Sequence, residues 1–519
     1  MKQSNNIPFY IGVSIALGII IGSFFNIKNT GRMYPVSSAN SVSSKLNTAL
    51  KFIENQYVDD VDVAQITDEL IADLLDKLDP HSAYASKETQ AYNRENMAGN
   101  FVGIGVQFVV KKDSVIVVKV IPGGPSLKAG LRAGDRIIMA DKDTLFGSGI
   151  TNDAIVSKLK GIENSQVLVK VYRPGNRKPI DFNITRGKVA IKSVPVSFKI
   201  SDRLGYIKLV RFAMTSYDEF KHALDQLQAQ GIQDLVLDLR GNPGGYMHVA
   251  DQICDEFLPD GNLIVYTKNK SGRQKNNVAT AKGSFEKGRV YVLVDENSAS
   301  ASEIVSGALQ DNDRGTIIGR RTFGKGLVQQ ELDFKDGSAM RLTIARYYTA
   351  TGRSIQKPYV DKEKYEHEVR SRYLAGELFH KDSIKVVDSL KYTTPKGKVV
   401  YGGGGIIPDI FVPLDTINGL NYYELNLINN FVYGYLDKHR NELEDFNESN
   451  FITNFKVTKE IKKEFKQYVA PYKFTNQEML NHLLKENFAS NLMDDRIYYQ
   501  LVNQRDPYIL KVKSLQQNQ

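Results

Sequence analysis

Hydrophobic positions along this chain fall into three regimes: unbroken apolar runs, apolar positions three and four apart, and strict alternation. The sequence opens on the first. Phe9 to Phe25 is uncharged and apolar behind Lys2. It is slightly short of the ~20 residues that span a bilayer as a helix, longer than the core of a typical signal peptide, and followed by no A-x-A-like cleavage site or lipobox cysteine. The run predicts an uncleaved signal anchor over 1–28, and Gly18 and Gly22 form within it a G-x-x-x-G compatible with helix pairing and a homo-oligomer. Lys28 and Arg32 on its far side leave its orientation undecided by charge. A polar Ser/Asn-rich linker, Asn29 to Ser44, begins a region that extends to 98. Two amphipathic helices follow it, the second carrying Ile66, Leu70, Ile71, Leu74, Leu75 and Leu78 on one face.

From 99 to 187 the pattern shortens to strands, Gly103 to Phe108 and Val115 to Val120, with a helix around Asn152 to Leu159 and a closing strand at Val167 to Tyr172. Beyond it, 188–415 alternates buried-looking strands with helical periods, the arrangement of an α/β domain. Leu235 to Leu239 is one such strand, and a Gly-Asn-Pro-Gly-Gly turn leads from it into a helical pattern from Tyr246 to Phe257. Val290 to Val294 is another, and Ala301, Ile304, Val305, Ala308 and Leu309 then share a helix face. Leu327 to Phe334 alternates as a strand. A charged insertion, 361–400, interrupts this domain before a Gly-rich ending at Tyr401 to Asp409. From 416 onward a lysine- and aromatic-rich tail reads as mostly helical; it could dock on the core, contact a partner or dimerise, and the helical spacing of its Phe, Leu and Tyr favours docking.

Composition is that of globular protein: 519 residues, 42% hydrophobic and 24% charged. The net charge of +9 is scattered, with no basic stripe interleaved with stacking aromatics, which argues against nucleic-acid binding and leaves solubility or an anionic membrane surface as its use. Cys254 is the sole cysteine, so there is neither a disulfide framework nor a zinc cluster. No metal or organic cofactor is called for.

The chemistry concentrates in Asn297-Ser298-Ala299-Ser300-Ala301-Ser302-Glu303 and Phe323-Gly324-Lys325-Gly326. Ser300 falls at a strand-to-helix turn, where free N–H groups and the helix dipole favour developing negative charge. A lysine can activate a hydroxyl only when desolvation leaves it neutral, and Phe323 and Leu327 are placed to dry Lys325. Gln329 shares the face of Lys325 by the two-residue period, so it can orient the amine. Plainer readings exist: Ser300 to Glu303 fits an S-x-x-E capping box, and Gly-Lys-Gly fits a solvated turn. Gly319 to Lys325 also reads G-x-x-x-x-G-K, but Gly326 stands where a phosphate loop needs Ser or Thr, and a strand follows instead of a helix. None of the seven histidines lies near a G-x-S-x-G elbow. His81 reads as structural and His248 as a helix-surface residue.

The run from Val294 to Gln330 resembles the signature of the C-terminal processing, or tail-specific, peptidases of the serine-lysine type. That resemblance implies Ser300 as nucleophile, Lys325 as base 325 − 300 = 25 residues on, Gln329 as its support, and a crotonase-like α/β core. An oxyanion hole needs two N–H donors; Gly244 or Gly245 and Ala301 are assigned to it. The 99–187 region looks like a PDZ domain, whose Gly103-Ile104-Gly105 loop would receive a carboxylate while the next strand accepts an extended peptide. Lys160 stands where relatives often carry an arginine that senses the bound tail; it keeps the charge without the bidentate fork. The expectation is a membrane-anchored serine endopeptidase that grips the exposed C-termini of protein substrates. Its catalytic part would be extracytoplasmic, on the periplasmic side of a cell inner membrane. The rival reading is a catalytically inactive PDZ scaffold.

Overall fold

The computed structural model describes residues 42–517, apart from 112, 148, 415–421, 444, 445, 473 and 475. The expected signal anchor and nearly all of the linker lie outside the described residues, among which no helix is long and apolar enough to cross a membrane. The chain divides into two units, 1–73 and 74–519. The two expected amphipathic helices form at Val42–Gln56 and Val63–Asp76. Leu75 is buried but Leu70, Leu74 and Leu78 are exposed, so the periodicity specified a helix without specifying cover for all of its apolar face.

In the second unit β1 (Ala83–Ala85) and α1 (Lys87–Ala98) precede a six-stranded antiparallel sheet in which β2 (Val106–Lys111), β3 (Ser114–Val120), β4 (Arg136–Ala140), β5 (Gln166–Tyr172) and β6 (Ile180–Thr185) follow in that order and the short strand Asp143–Thr144 also pairs with β4. A short helix, Pro125–Ala129, follows β3, and a longer one, α2 (Asn152–Leu159), starts where Thr151 accepts a hydrogen bond from the N–H of Ala154. Its Ile155 and Leu159 share a core with Ile104, Val115, Val117 and Val169. The strand expected to close this module, β5, is its fourth, and β6 completes the order. β2 lies at the sheet edge, so one side of its backbone can add a further strand.

The α/β domain is built on β7 (Val196–Lys199), β8 (Leu204–Lys208), α3 (Ser216–Ala229), β9 (Asp234–Asp238), α4 (Met247–Asp255), β10 (Leu263–Asn269), β11 (Gln274–Val278), β12 (Arg289–Val294), α5 (Ala301–Asp311), β13 (Gly315–Gly319), β14 (Leu327–Asp333), β15 (Ala339–Thr349) and β16 (Ile410–Phe411). Its main sheet runs β7-β8-β9-β12-β13-β16, parallel from β8 onward. A second sheet runs β1-β15-β10-β11, with β14 also on β15. The apolar runs are continuous because the main sheet is covered on both faces. Val290, Val292 and Val294 pack with α4 and α5, while Tyr291 and Leu293 pack on the opposite side.

That opposite side is covered by the end of the tail. The segment from Ile428 to Leu501 forms helices around a core of its own, with Phe431, Phe451, Phe455, Phe465 and Phe488 at its centre. The last helix, Pro507–Gln517, leaves this bundle and lays Tyr508, Ile509 and Val512 against Phe198, Tyr206, Val236 and Leu293. The insertion 361–400 is no detached excursion. Arg372 donates to the carbonyls of Thr322 (3.2 Å) and Arg321 (2.5 Å), and Glu377 accepts from Arg321 (2.7 Å), so it fastens the segment leading to Lys325.

Candidate active site

The parallel strands β9, β12 and β13 end together, and the three loops leaving those ends meet. Ser300 lies at the start of α5 with φ 56° and ψ −114°, a backbone region that costs a non-glycine residue about 1–3 kcal/mol. The surroundings fix it. Ala299 N–H and Ser302 Oγ donate to the carbonyl of Asn242 at 3.0 and 2.9 Å, and the N–H of Glu303 donates to the Ser300 carbonyl at 2.8 Å. Across the turn, a Cβ on Gly244 would lie 2.8 Å from both Ser300 Cβ and Ala301 N, so only glycine permits that approach.

Glu303 is fully buried and joins the segment of Ser300 to that of Lys325. Its Oε2 accepts from the N–H groups of Ser300 (2.9 Å) and Lys325 (2.8 Å), and its Oε1 from the N–H of Gly324 (2.8 Å) and the hydroxyl of Thr322 (2.5 Å). Burial pushes its carboxyl up to about 6 despite those donors. Tyr347 ties the same two segments through their carbonyls, its hydroxyl lying 2.7 Å from Lys325 O and 3.2 Å from Ser300 O. Sequence reasoning saw Glu303 only as a helix cap and missed Tyr347, because nothing in the alternation of β15 marks which inward residue faces the turn.

Lys325 is mostly buried. Desolvation, aided by the positive charge of Arg341, pulls its amine from 10.5 down to about 8, against the opposing pull of Glu303 and Asp79. Phe323 was expected to dry it, but that ring is occupied elsewhere: it lies 3.8 Å from the ammonium of Lys357 and packs edge-on against Tyr365. Among the described residues no hydrogen bond joins Lys325 Nζ to Ser300 Oγ. Catalytic contacts commonly tighten only around substrate.

Gln329 differs from expectation. β14 begins only at Leu327, and a bulge between Val328 and Gln329 resets the alternation on which its shared face with Lys325 rested. Its Nε2 instead donates to Thr343 Oγ1 (3.4 Å), which donates to Asp79 Oδ1 (3.0 Å). Asp79 also takes the hydroxyl of Ser82 and the N–H groups of His81 and Ser82; against the upward push of burial, these donors hold it below its ordinary value. His81 contacts the hydroxyl of Tyr365 (2.6 Å), and burial, then the charge of Lys325, pushes its ring down to about 4. His248 is exposed, its ring tilted beside that of Tyr246 with centroids 5.3 Å apart, as expected of a surface residue.

The glycine loop supplies donors, with one correction. The N–H of Gly244 is held by Asn242 Oδ1 at 2.9 Å, so in this arrangement it is not aimed at a substrate oxygen. The N–H groups of Gly245 and Ala301 have no acceptor among the described residues. Gly245 is pressed against β-bridge partner Phe212, where an added Cβ would meet the Phe212 carbonyl at 2.2 Å. Gly245 and Ala301 thus keep N–H groups that no acceptor among the described residues takes up.

In the smaller module, Gly103, Ile104 and Gly105 lead directly into edge strand β2. Lys160 ends α2 beside this loop, its Cγ 3.5 Å from where a Cβ on Gly103 would stand. Its ammonium is already paired with Glu95 on α1 and lies 4.9 Å from the centre of the Phe101 ring. The charge expected to meet a substrate tail therefore has a partner within the chain.

Comparison with known proteins finds family matches and relatives. Residues 203–364 match peptidase family S41, 102–184 match the PDZ domain, and 421–494 match a family of unknown function (DUF8443). The chain is 32% identical over 330 residues to the carboxy-terminal processing protease CtpB of Bacillus subtilis (strain 168), covering 63% of this chain and 68% of that protein. It is 34% identical over 312 residues to a carboxy-terminal-processing protease of Bartonella bacilliformis, covering 59% of this chain and 70% of that one. Among solved structures, the photosystem II D1 C-terminal processing protease is similar at 27% identity and a TM-score of 0.38, over 72% of this chain and 88% of that one.

Proposed function

Because this chain belongs to the carboxy-terminal processing proteases, serine-type peptidases of family S41 that here carry a PDZ domain, we propose that it cleaves protein substrates with Ser300 as nucleophile and Lys325 as base. The neutral amine takes the Ser300 proton as Oγ bonds to the scissile carbonyl carbon. The resulting oxyanion is received by the N–H groups of Gly245 and Ala301. Lys325 then gives its proton to the leaving amine as the C–N bond breaks, and water, deprotonated by the same amine, releases the acyl group. Gln329 acts through Thr343 and Asp79 rather than on the amine itself.

The observation that carries this reading is the double clasp of Glu303 and Tyr347 on the backbones of residues 300 and 325, together with an amine brought to about 8. The PDZ module is the tail-binding element: the Gly103–Gly105 loop receives the substrate carboxylate and edge strand β2 pairs with the residues before it. The N-terminal apolar run anchors the chain, with the peptidase on the extracytoplasmic side.

The test is cleavage of an unstructured protein by the full chain in detergent. Wild type cuts, while Ser300→Ala and Lys325→Ala do not; cutting by either variant would overturn the dyad. Binding without cleavage by all three would instead support the scaffold reading. Amidating the substrate's C-terminus raises KM and leaves kcat unchanged if the PDZ module reads the carboxylate. Protease accessibility in intact cells and spheroplasts checks the side of the membrane.

A further inference from the structure

The tail reaches the loops around Ser300 and Lys325 at a joint made by Asp506 and Tyr508. Asp506 caps the last helix through the N–H of Tyr508 (2.8 Å), and its other oxygen pairs with Arg240 at 2.7 Å. Arg240 immediately precedes the Gly241–Gly245 turn and is also held by Asp238 on β9. The Tyr508 ring lies 4.4 Å from the Arg240 guanidinium and 5.8 Å from that of Arg320, and its hydroxyl accepts from Arg320 at 2.6 Å. Arg320 opens the loop to Lys325 and donates as well to Glu296, four residues before Ser300, at 2.7 Å. The ring comes so close to the end of β13 that a Cβ on Gly319 would lie 2.7 Å from it.

Each of the three loops that meet at the active site thus has a charged residue near its start, Arg240, Glu296 or Arg320, held by Asp506 and Tyr508, directly or through one neighbour. Arg320, Tyr508 and Asp506 are all nearly fully buried. Two guanidiniums enclosed side by side need the carboxylate and the ring face between them, so a shift of the tail must be followed by the loops. On the reading of Ser300 and Lys325 given above, we propose that Asp506 and Tyr508 are positioning residues for the peptidase reaction, and that the end of the helical tail is a working part of the active-site scaffold.

Tyr508→Phe keeps the ring and loses the acceptor for Arg320; Asp506→Asn keeps the shape and loses the charge facing Arg240. Each is made in the full chain, beside Gln516→Ala, which loses only the tail's bond to Asp234 at the far end of the same helix. kcat and KM are measured on a peptide with a free C-terminus, and the folded fraction by circular dichroism. Both joint variants lower kcat by about tenfold, the effect of one charge-assisted hydrogen bond, and leave KM and the folded fraction unchanged, while Gln516→Ala matches wild type. Unchanged kcat in the joint variants, a fall that tracks lost folded protein, or an equal fall in Gln516→Ala would overturn the proposal. Ser300→Ala and Lys325→Ala are assayed in parallel. If they still cleave, it is the dyad that fails; if they are inactive while the joint variants keep wild-type kcat, only the tail inference does.

Discussion

Replacing Lys325 by arginine keeps a cation in place but removes a group able to lose its proton, and the consequence can be worked from the lysine's surroundings. Only the neutral amine accepts a proton, so the rate rises with pH until the amine is fully deprotonated. With burial holding it at about 8, some 10% is neutral at pH 7, against ~0.03% for an ammonium left at 10.5, a gain of ~300-fold. kcat/KM of the wild type on a fluorogenic peptide with a free C-terminus should therefore climb about tenfold per pH unit below pH ~7.5 and level off above ~9. Glu303 near 6 and His81 near 4 titrate below this limb and do not supply its midpoint. Lys325→Arg should lose the limb and a factor of about 10²–10⁴ in rate. A midpoint near the ordinary histidine value of ~6.5, or the same profile persisting in Lys325→Arg, would refute the assignment of the base.

Tyr347→Phe removes the hydroxyl shared by the Ser300 and Lys325 carbonyls. At about 1 kcal/mol for such a bond, kcat should fall severalfold to tenfold with KM unchanged in steady-state kinetics. Gly245→Ala forces a Cβ to within 2.2 Å of the Phe212 carbonyl, so the oxyanion loop must move; peptide cleavage should be lost while circular dichroism still reports a folded chain. Asp311→Ala strands Arg353, whose side chain has no exposure, without its carboxylate. That should cost about 3–5 kcal/mol and lower the unfolding midpoint of the core by roughly 10 °C in calorimetry.

How much of this was legible beforehand depended on whether a feature is local. The strand before Ser300, the helix after it, the glycine turn after Leu239 and the small β-rich module were all readable, because period, caps and turn residues act over a few positions. The bulge at Gln329 was not: it is a mismatch between β14 and β15, and one strand's sequence does not contain its partner. The engagement of Gly244 by Asn242 depends on which way one peptide plane faces, which glycine leaves open. Glu303 was visible as a cap, yet its second set of donors comes from Thr322 to Lys325, about twenty residues away along the chain.

The sequence by itself determined the elements and the reactive groups: a hydroxyl at a strand-to-helix turn, an amine between glycines 25 residues later, and a loop able to offer N–H donors. Tertiary structure alone decided that Glu303 and Tyr347 hold the two segments together, that the insertion fastens the lysine loop, and that the last helix covers the far face of the sheet. The physical reason is range. Backbone preference and side-chain period are set by neighbours in sequence, whereas desolvation of an amine and the pairing of buried charges depend on which distant segments close over them.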